Sequence, residues 1–338
     1  MELQSVSPVE REKEPTSVSA HFPLVDDIKD RRIAVCVCTC MRPQLLTACL
    51  ASLARLNIPA GYFPIVVVID NDVDQSAKRV VEGFSDFPLP LKYVVEPRRG
   101  IAIARNRALR AAQEFDVGWM AFIDDDETAH PDWLVGLMHE DYLDTPILMG
   151  WQIIEPPHPT PFWYIEDADK DPEEGQRCTS AYTNNVRFRM SVPEAGLAFD
   201  EQLALSGGED LQFFFSAHCK GFAIQRTRRA ITYEALHVER TGYFRQCYRT
   251  VWIAAANFRK DVSKFGNIYA IARRVHTIPI HLIGGLALVV VSPVAFVAGP
   301  QWFKRTALLG GRKIGRGVGR LMAIFGYVPQ PYAKIDGA

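Results

Sequence analysis

The chain has 338 residues, 38 Lys and Arg against 39 Asp and Glu, and 48% hydrophobic residues. This composition is typical of a folded, largely soluble protein and excludes a disordered, collagen-like or polytopic membrane chain. The net charge of −1 argues against nucleic acid as a main partner, because binding to a phosphate backbone needs a dominant or segregated basic face. The length fits one catalytic domain of about 200–250 residues with appended segments, or two compact domains.

The N-terminus and the cysteines indicate the compartment. Residues 1–30 are charge-rich and lack the apolar core of a signal peptide, so we expect a flexible lead-in there. The seven cysteines show no disulfide framework. Cys36, Cys38 and Cys40 alternate along one apolar run, which predicts small buried groups on one strand face rather than a metal or redox site. Both features predict a reducing, cytoplasmic environment.

From Arg31 onward the chain alternates between predicted strands and helices. Nearly continuous apolar strands that are separated by helices are typical of an α/β fold with a mostly parallel sheet covered on both faces. The predicted strands are Ile33–Cys38, Ile65–Ile69, Leu91–Val95 and Trp119–Ile123. The segment from Gly150 to Gly175, rich in Pro, acidic and aromatic residues, predicts a loop that lines a cleft.

Polar residues follow three of the predicted strands, at the edge where ligands bind in such sheets. Thr39 and Asp70 follow the first two strands, and Asp124–Asp126 follow the fourth. Adjacent carboxylates raise one another's pKa unless a cation neutralises them, and all-oxygen ligands suit Mg²⁺ or Mn²⁺. The sequence therefore predicts a divalent metal site at this edge, with an exposed acidic turn as the alternative.

Glu209 and Asp210 follow two glycines at the start of a predicted helix. Carboxylates in a first helical turn can cap the helix and interact favourably with its dipole. The glycines also permit close approach of a substrate, so one carboxylate could take a proton from a hydroxyl nucleophile. The residues alone leave both roles open.

The C-terminal region differs in character. Residues 275–303 contain no Asp, Glu, Lys or Arg and are long enough to reach across or into a bilayer. Basic residues flank this segment on both sides, so a single span would place one basic cluster outside, against the positive-inside rule. We favour a re-entrant or interfacial hairpin over a single span. Before it, Phe244–Phe258 predicts an amphipathic helix that lies either on anionic lipid or on the catalytic core.

Five motifs occur in one order along the chain. They are Val35–Thr39 with Arg42-Pro43, Val67–Asn71, Gly100–Arg107, Phe122–Glu127 with Pro131–Trp133, and Gly208–Asp210. Together they resemble glycosyltransferase family 2, most closely its bacterial exopolysaccharide members of the succinoglycan type. The resemblance covers residues 32–245 and implies a GT-A fold, a nucleotide-diphosphate sugar donor, a divalent metal and inversion at the anomeric carbon.

The resemblance also implies roles for single residues. Asp210 matches the base that deprotonates the acceptor hydroxyl, with Glu209 beside it. The metal motif falls on Asp124–Asp126, where Asp126 with Asp124 is the expected ligand pair and Asp125 stays open as an alternative. Positions that match donor-binding residues are Thr39, Arg42, Asp70 at the uracil edge, Arg105, Asn106, Asp124 and Asp125. Looser matches are Trp133 and Asn185 near the sugars, Arg245 at the diphosphate, and His237 as either a third metal ligand or a packed core histidine.

By the same resemblance, residues 31–245 form the catalytic domain and residues 246–338 a basic, membrane-associating helical region. The implied protein is an enzyme at the cytoplasmic face of the inner (plasma) membrane, attached through its C-terminal segment. It would extend a lipid-linked saccharide for a surface polysaccharide, with UDP-glucose as the favoured donor and Mn²⁺ or Mg²⁺ as the cofactor.

Three other classes were weighed against this one. The spacing Asp124-x-Asp126 after a strand also matches the nucleophile motif of haloacid-dehalogenase-type phosphatases, which use Mg²⁺. In that family the motif closes the first strand, whereas three predicted strands precede it here. A nicotinamide-dependent oxidoreductase would need a GxGxxG loop after the first strand, and this chain has none there. A non-catalytic membrane scaffold would not need carboxylates aligned at two element ends.

Overall fold

The computed structural model describes residues 28–165, 173–327 and 329–330. Most of the lead-in predicted for residues 1–30 therefore lies outside the described residues. The strands are β1 (Arg32–Thr39), β2 (Phe63–Asp70), β3 (Leu91–Val95), β4 (Trp119–Asp124), β5 (Glu127–Ala129), β6 (Ile147–Glu155), β7 (Arg177–Cys178), β8 (Asn185–Arg189) and β9 (Ile224–Ala235). The helices are α1 (Pro43–Leu53), α2 (Lys78–Gly83), α3 (Ile101–Glu114), α4 (Trp133–Leu137), α5 (Ser191–Glu194), α6 (Glu209–Cys219), α7 (Tyr243–Phe265), α8 (Asn267–Val275), α9 (Thr277–Ala295) and α10 (Pro300–Ile324).

The strands form one mixed sheet in the order β3-β2-β1-β4-β8-β6-β9-β5, with β7 paired to β9. The four predicted strands are confirmed, and they pair in parallel with one another. β6 and β9 form a second parallel pair. β8 then runs antiparallel to β4, and β6 runs antiparallel to β8. The predicted α/β fold with flanking helices is confirmed, with antiparallel pairing confined to the later strands.

The prediction of a loop from Gly150 onward is wrong for its first part, because β6 continues to Glu155. A register shift between Met149 and Trp151 marks an irregularity in the pairing of β6 with β9. A Cβ at Gly150 would overlap the Asn185 side chain, so only glycine fits at this crossing. The prolines follow Glu155, and the strand ends there.

Helices cover both faces of the sheet. Because successive strand residues point to opposite faces, Ala34 and Cys36 join one core, while Val35 and Val37 join the other. The first core packs against α3 and α6, and the second against α1 and α4. Of the three alternating cysteines, Cys36 is a buried free thiol, as predicted, whereas Cys38 is only partly buried and Cys40 lies beyond the end of β1 and is also only partly buried.

The last helices form a unit of their own. α9 and α10 pack antiparallel, and α10 lies between α9 and α7. Glycines let the helix backbones approach closely. A Cβ at Gly285 would lie 2.8 Å from the carbonyl oxygen of Gly310, and a Cβ at Gly319 would overlap the carbonyl oxygen of Val251. α7 packs Val251 and Phe258 against the other C-terminal helices, and its Ala256 lies against Gly208 at the start of α6 in the catalytic domain. Because α7 begins at Tyr243, a domain boundary at residue 245 would divide it.

The apolar segment predicted at residues 275–303 forms the last residue of α8, all of α9, the turn that follows and the start of α10. Within the described residues, Asn267–Ala298 is long and apolar enough to cross a membrane, and only 11% of its most apolar stretch is buried. Its outer face therefore remains available to lipid.

Gly319→Ala should lower the free energy of unfolding by about 1–3 kcal/mol, because the new Cβ would overlap backbone atoms of α7. Gly284→Ala is the matched control, since a Cβ there meets nothing within 4 Å. It should be neutral or stabilising by about 1 kcal/mol, the helix preference of Ala over Gly. Denaturant unfolding in one detergent measures both variants. Equal stability would contradict the close packing of α10 on α7.

Candidate active site

The acidic turn after β4, Asp124–Asp126, is held in place by Thr39 at the end of β1 and by Arg42 just beyond it. Asp125 is buried, and both of its carboxylate oxygens accept hydrogen bonds, from Thr39 Oγ1 at 2.6 Å and from Arg42 Nη1 at 3.0 Å. Arg42 Nη1 also lies 3.6 Å from Asp126 Oδ2. Three residues that the resemblance places at the nucleotide thus hold the turn in position.

Asp124 and Asp126 face outward to different degrees. Their side chains are 39% and 12% exposed, against 5% for Asp125. Arg240 Nη2 donates to Asp126 Oδ2 at 3.1 Å, and Arg105 Nη2 lies 3.6 Å from Asp124 Oδ1. Burial nevertheless raises the pKa of Asp124 to about 7 and that of Asp125 to about 6. The turn therefore keeps an excess of negative charge, which a divalent cation would neutralise.

The donor set fits a cation that is shared with a substrate. Among the described residues, no three His, Cys, Asp or Glu side chains converge on one point as a complete metal site. His237, predicted as either a third metal ligand or a packed core histidine, is exposed at the start of a short turn and so is not a core residue. It also forms no ligand group with Asp124 and Asp126 among the described residues. Mg²⁺ typically takes one or two protein carboxylates and completes its shell with phosphates and water. Two outward carboxylates meet that requirement.

The two carboxylates at the start of α6 have different environments. Gly207 and Gly208 have φ angles of 75° and 87°, which lets the chain turn sharply into the helix. Glu209 is buried and forms an ion pair with Arg105, whereas Asp210 remains partly exposed. Burial raises the pKa of Glu209 to about 7 and also raises that of Asp210. The predicted catalytic role of Glu209 is not supported, because its carboxylate is committed to the interior.

One guanidinium joins the two acidic elements. Arg105 of α3 pairs with Glu209 and lies near Asp124. It is itself buried, so the structure gives it a bridging position beneath the surface rather than an open nucleotide contact. The end of β4 and the start of α6 are thereby held together with Asp210 on the outside.

Two further residues that match donor-binding positions form hydrogen bonds with backbone groups of the protein itself. Asp70 is fully buried, and its Oδ2 accepts hydrogen bonds from Ala77 N at 2.9 Å and Tyr93 Oη at 2.7 Å. Its Oδ1 has no partner among the described residues, but a uracil N–H could reach it only if the surrounding chain moved. Asn106 exchanges two hydrogen bonds with the backbone of Phe199, each 2.9 Å long. Its amide is therefore not free for a nucleotide.

The looser matches do not line the site: Trp133 and Asn185 are buried beneath it, and Arg245 lies on α7. Trp133 Nε1 donates to Asn185 Oδ1 at 2.9 Å, and both side chains are buried in the sheet core. Neither presents a surface to a sugar, so the structure gives this pair a packing role. Arg245 is exposed on the first turn of α7, and Arg240 is the arginine that bonds Asp126.

Sequence reasoning missed a polar group at the ends of β5 and β9. Arg240 Nη1 donates to Glu234 Oε1 at 2.6 Å and links it to the acidic turn. Glu127 is buried, accepts a hydrogen bond from Asn184 at 2.9 Å, and has one oxygen without a partner among the described residues. Glu234 lies near the end of β9, and Arg240 lies six residues further along, in the turn after the strand. Nothing in this spacing indicates a contact with Asp126.

The fold and the site together define a glycosyltransferase of the GT-A type. The family model described as Glycosyl transferase family 2 matches residues 34–184. The succinoglycan biosynthesis protein ExoM of Rhizobium meliloti is 32% identical over 239 residues, which cover 67% of this chain and 72% of that protein. The chain therefore belongs to glycosyltransferase family 2, and it is an enzyme of that class.

Two more distant proteins agree with this assignment. The glucosyl-dolichyl phosphate glucuronosyltransferase of Haloferax volcanii is 24% identical over 213 residues, 59% of this chain and 66% of that one. The mannosyltransferase PcManGT of Pyrobaculum calidifontis shares the fold with a TM-score of 0.57 at 16% identity, covering 86% of this chain and 87% of its own. Nothing in these comparisons supports the phosphatase alternative, and the acidic turn follows the fourth strand of the sheet.

Glu209→Gln should destabilise the fold by about 3–5 kcal/mol, because it removes the buried anion closest to the buried Arg105 and leaves only the partly exposed Asp124 near it. Asp210→Asn makes the same chemical change one residue along, at a partly exposed position, and should cost far less. Thermal unfolding of the two variants compares them directly. Equal losses would contradict the different environments of these carboxylates.

Asp210→Asn should lower turnover of the donor by about 10²–10⁴-fold, because an amide cannot accept a proton from the acceptor hydroxyl. Binding of the nucleotide should be nearly unchanged. Steady-state release of the nucleoside diphosphate, with a parallel binding titration, measures the two effects separately. Full turnover by this variant would exclude Asp210 as the base.

Proposed function

We propose that this glycosyltransferase moves a sugar from a UDP-sugar, with UDP-glucose favoured, to a lipid-linked saccharide in exopolysaccharide biosynthesis, with inversion at the anomeric carbon. The observation that carries the proposal is the position of Asp210, partly exposed at the start of α6, beyond the Arg105 bridge to Asp124. Through Arg105, the proposed proton acceptor Asp210 and the proposed cation ligand Asp124 are held in a fixed position relative to one another.

In the proposed reaction, Asp210 accepts the proton of the acceptor hydroxyl as that oxygen attacks the anomeric carbon. Asp124 and Asp126 would hold Mn²⁺ or Mg²⁺, which when bound supplies Lewis-acid stabilisation to the departing diphosphate. Arg42 and Arg240 both approach Oδ2 of Asp126, and Arg105 orients Asp124. Preorganised charges of this kind need no rearrangement as negative charge develops.

The named relatives support the finer parts of the proposal. ExoM is named for succinoglycan biosynthesis, and the Haloferax enzyme is named for a sugar carried on dolichyl phosphate. The PcManGT structure is described as a complex with GDP-Man and Mn²⁺. On this chain we accordingly propose a nucleotide-sugar donor, a lipid-phosphate-linked acceptor and a divalent cation.

We further propose that α9 lies along the cytoplasmic face of the membrane. Its exposed apolar face includes Ile283, Val290 and Val294. α10 packs against the opposite side and carries several arginines and lysines, which would enter the bilayer together with α9 if α9 spanned it. Each such charge costs about 2.5–3.5 kcal/mol at the bilayer centre. Lys304 also donates to the Tyr164 carbonyl at 2.8 Å, which ties the hairpin tip to the catalytic domain.

UDP should bind in a Mn²⁺-dependent manner, and Asp126→Asn should weaken that binding by about tenfold or more, since a cation ligand is lost. Asp86→Asn, an equal change of charge at an exposed loop position, should bind UDP like the unchanged protein. Isothermal titration with Mn²⁺ and with a chelator provides the measurement. Binding of UDP that is indifferent to both Mn²⁺ and Asp126, or no binding by folded protein, would contradict the proposal.

A further inference from the structure

A cavity of about 270 Å³ lies among the four C-terminal helices, and none of its lining residues belongs to the candidate active site. α7 forms one wall with Thr250, Ile253, Ala254 and Asn257. The remaining lining comes from α8, α9 and α10 and is basic. Residues from four helices thus converge on one cavity that is partly open to the outside.

Three arginines and a histidine supply the basic lining, namely Arg274, His281, Arg316 and Arg320. No carboxylate occurs among the described residues that line the cavity. Asp261 is the acidic neighbour, and it accepts a hydrogen bond from Arg274 at 2.6 Å. Burial, together with Arg274 and Arg316, lowers the pKa of Arg320. The positive charges are therefore only partly balanced, and the cavity attracts an anion.

The polar groups of the cavity are also incompletely bonded. Arg320 Nη1 donates to Thr277 Oγ1 at 2.7 Å and lies 3.3 Å from His281 Nε2. The other ring nitrogen, His281 Nδ1, is buried and has no hydrogen-bond partner in the described part of the chain. A buried polar atom without a partner carries a free-energy cost that a bound ligand can remove. Arg316 is exposed and can reach a ligand from outside.

The apolar face of α9 begins beside this cavity. Ile280 and Ile283, next to His281 along the helix, are 61% and 69% exposed. Ile280 lies about 100° around the helix from His281, and Ile283 is one turn further along the exposed face. A ligand with an anionic head in the cavity can therefore extend a hydrocarbon chain past Ile280 onto this face. A soluble anion would make no use of this neighbouring surface.

We infer that the cavity binds the phosphate group of a membrane lipid, with Arg274, Arg316 and Arg320 as its charged partners. Guanidinium groups suit phosphate because each donates two parallel hydrogen bonds to its oxygens. An acidic phospholipid and the phosphate of a saccharide-carrying lipid offer the same chemistry. The second source rests on the lipid-linked acceptor proposed above. Either one would fix the orientation of the catalytic domain on the membrane.

Native mass spectrometry of the full chain, purified in detergent, counts the lipids that stay bound. The probes are phosphatidylglycerol, a long-chain prenyl phosphate, and diacylglycerol, which lacks a phosphate. The first two should bind one per chain and the third should not. Arg316→Gln/Arg320→Gln should weaken binding by about tenfold or more, through the loss of charge-assisted hydrogen bonds. Arg316→Gln alone, at an exposed position, should shift binding in the same direction without risk to folding.

Arg273→Gln/Arg305→Gln is the matched control, because it removes two exposed charges outside the cavity lining. It should retain lipid within about twofold of the unchanged protein. Equal loss in both double variants, equal retention of diacylglycerol, or displacement of lipid by an equal concentration of inorganic phosphate would each overturn the inference. Competition between the two phospho-lipids identifies the source. UDP binding, measured on the same samples without lipid, separates a failure of this site from a failure of the proposed transferase.

Discussion

The buried guanidinium of Arg105 is the interaction on which the catalytic edge depends. It connects Glu209 at the start of α6 with Asp124 at the end of β4, two elements that are distant in sequence. Without this cation, several carboxylates would be buried against one another, and their pKa values would rise further. At the start of α6, Arg105 pairs with the buried Glu209 while Asp210 remains partly exposed. In the acidic turn, Arg42 and Thr39 hold the buried Asp125, and Asp124 and Asp126 are more exposed. The positions of Arg42 and Arg105 therefore determine which carboxylates are buried in ion pairs, Asp125 and Glu209.

The same edge is continuous with the C-terminal helices. A Cβ at Gly208 would lie 3.0 Å from the Cβ of Ala256 on α7, so α7 packs directly against the turn that presents Asp210. α7 in turn packs on α10, and α10 on α9. A lipid held between these helices would therefore lie within one packed unit with the proposed base. This arrangement suits an enzyme whose acceptor is anchored in the membrane.

Much of the fold could be predicted from the sequence, because its parallel strands and its apolar helix are encoded in local patterns. The later strands could not be predicted in this way. The pairing of β6 with β9 shifts register near Gly150, and the partners of β6 are separated from it in sequence by loops. Motif resemblance located Asp210 and Asp124–Asp126 but could not divide their roles, which are set by distant partners such as Arg240, 114 residues from Asp126. Asn106 likewise depends on a backbone partner 93 residues away.

Electron paramagnetic resonance of Mn²⁺ tests the central claim most directly, namely that this edge completes its cation site only with a substrate diphosphate. Titration of the full chain with Mn²⁺ should show weak binding alone and binding tightened by about tenfold or more when UDP is present. The tightening should be lost in Asp126→Asn and retained in Asp86→Asn. Tight binding of Mn²⁺ without UDP, or tightening that survives Asp126→Asn, would contradict the account.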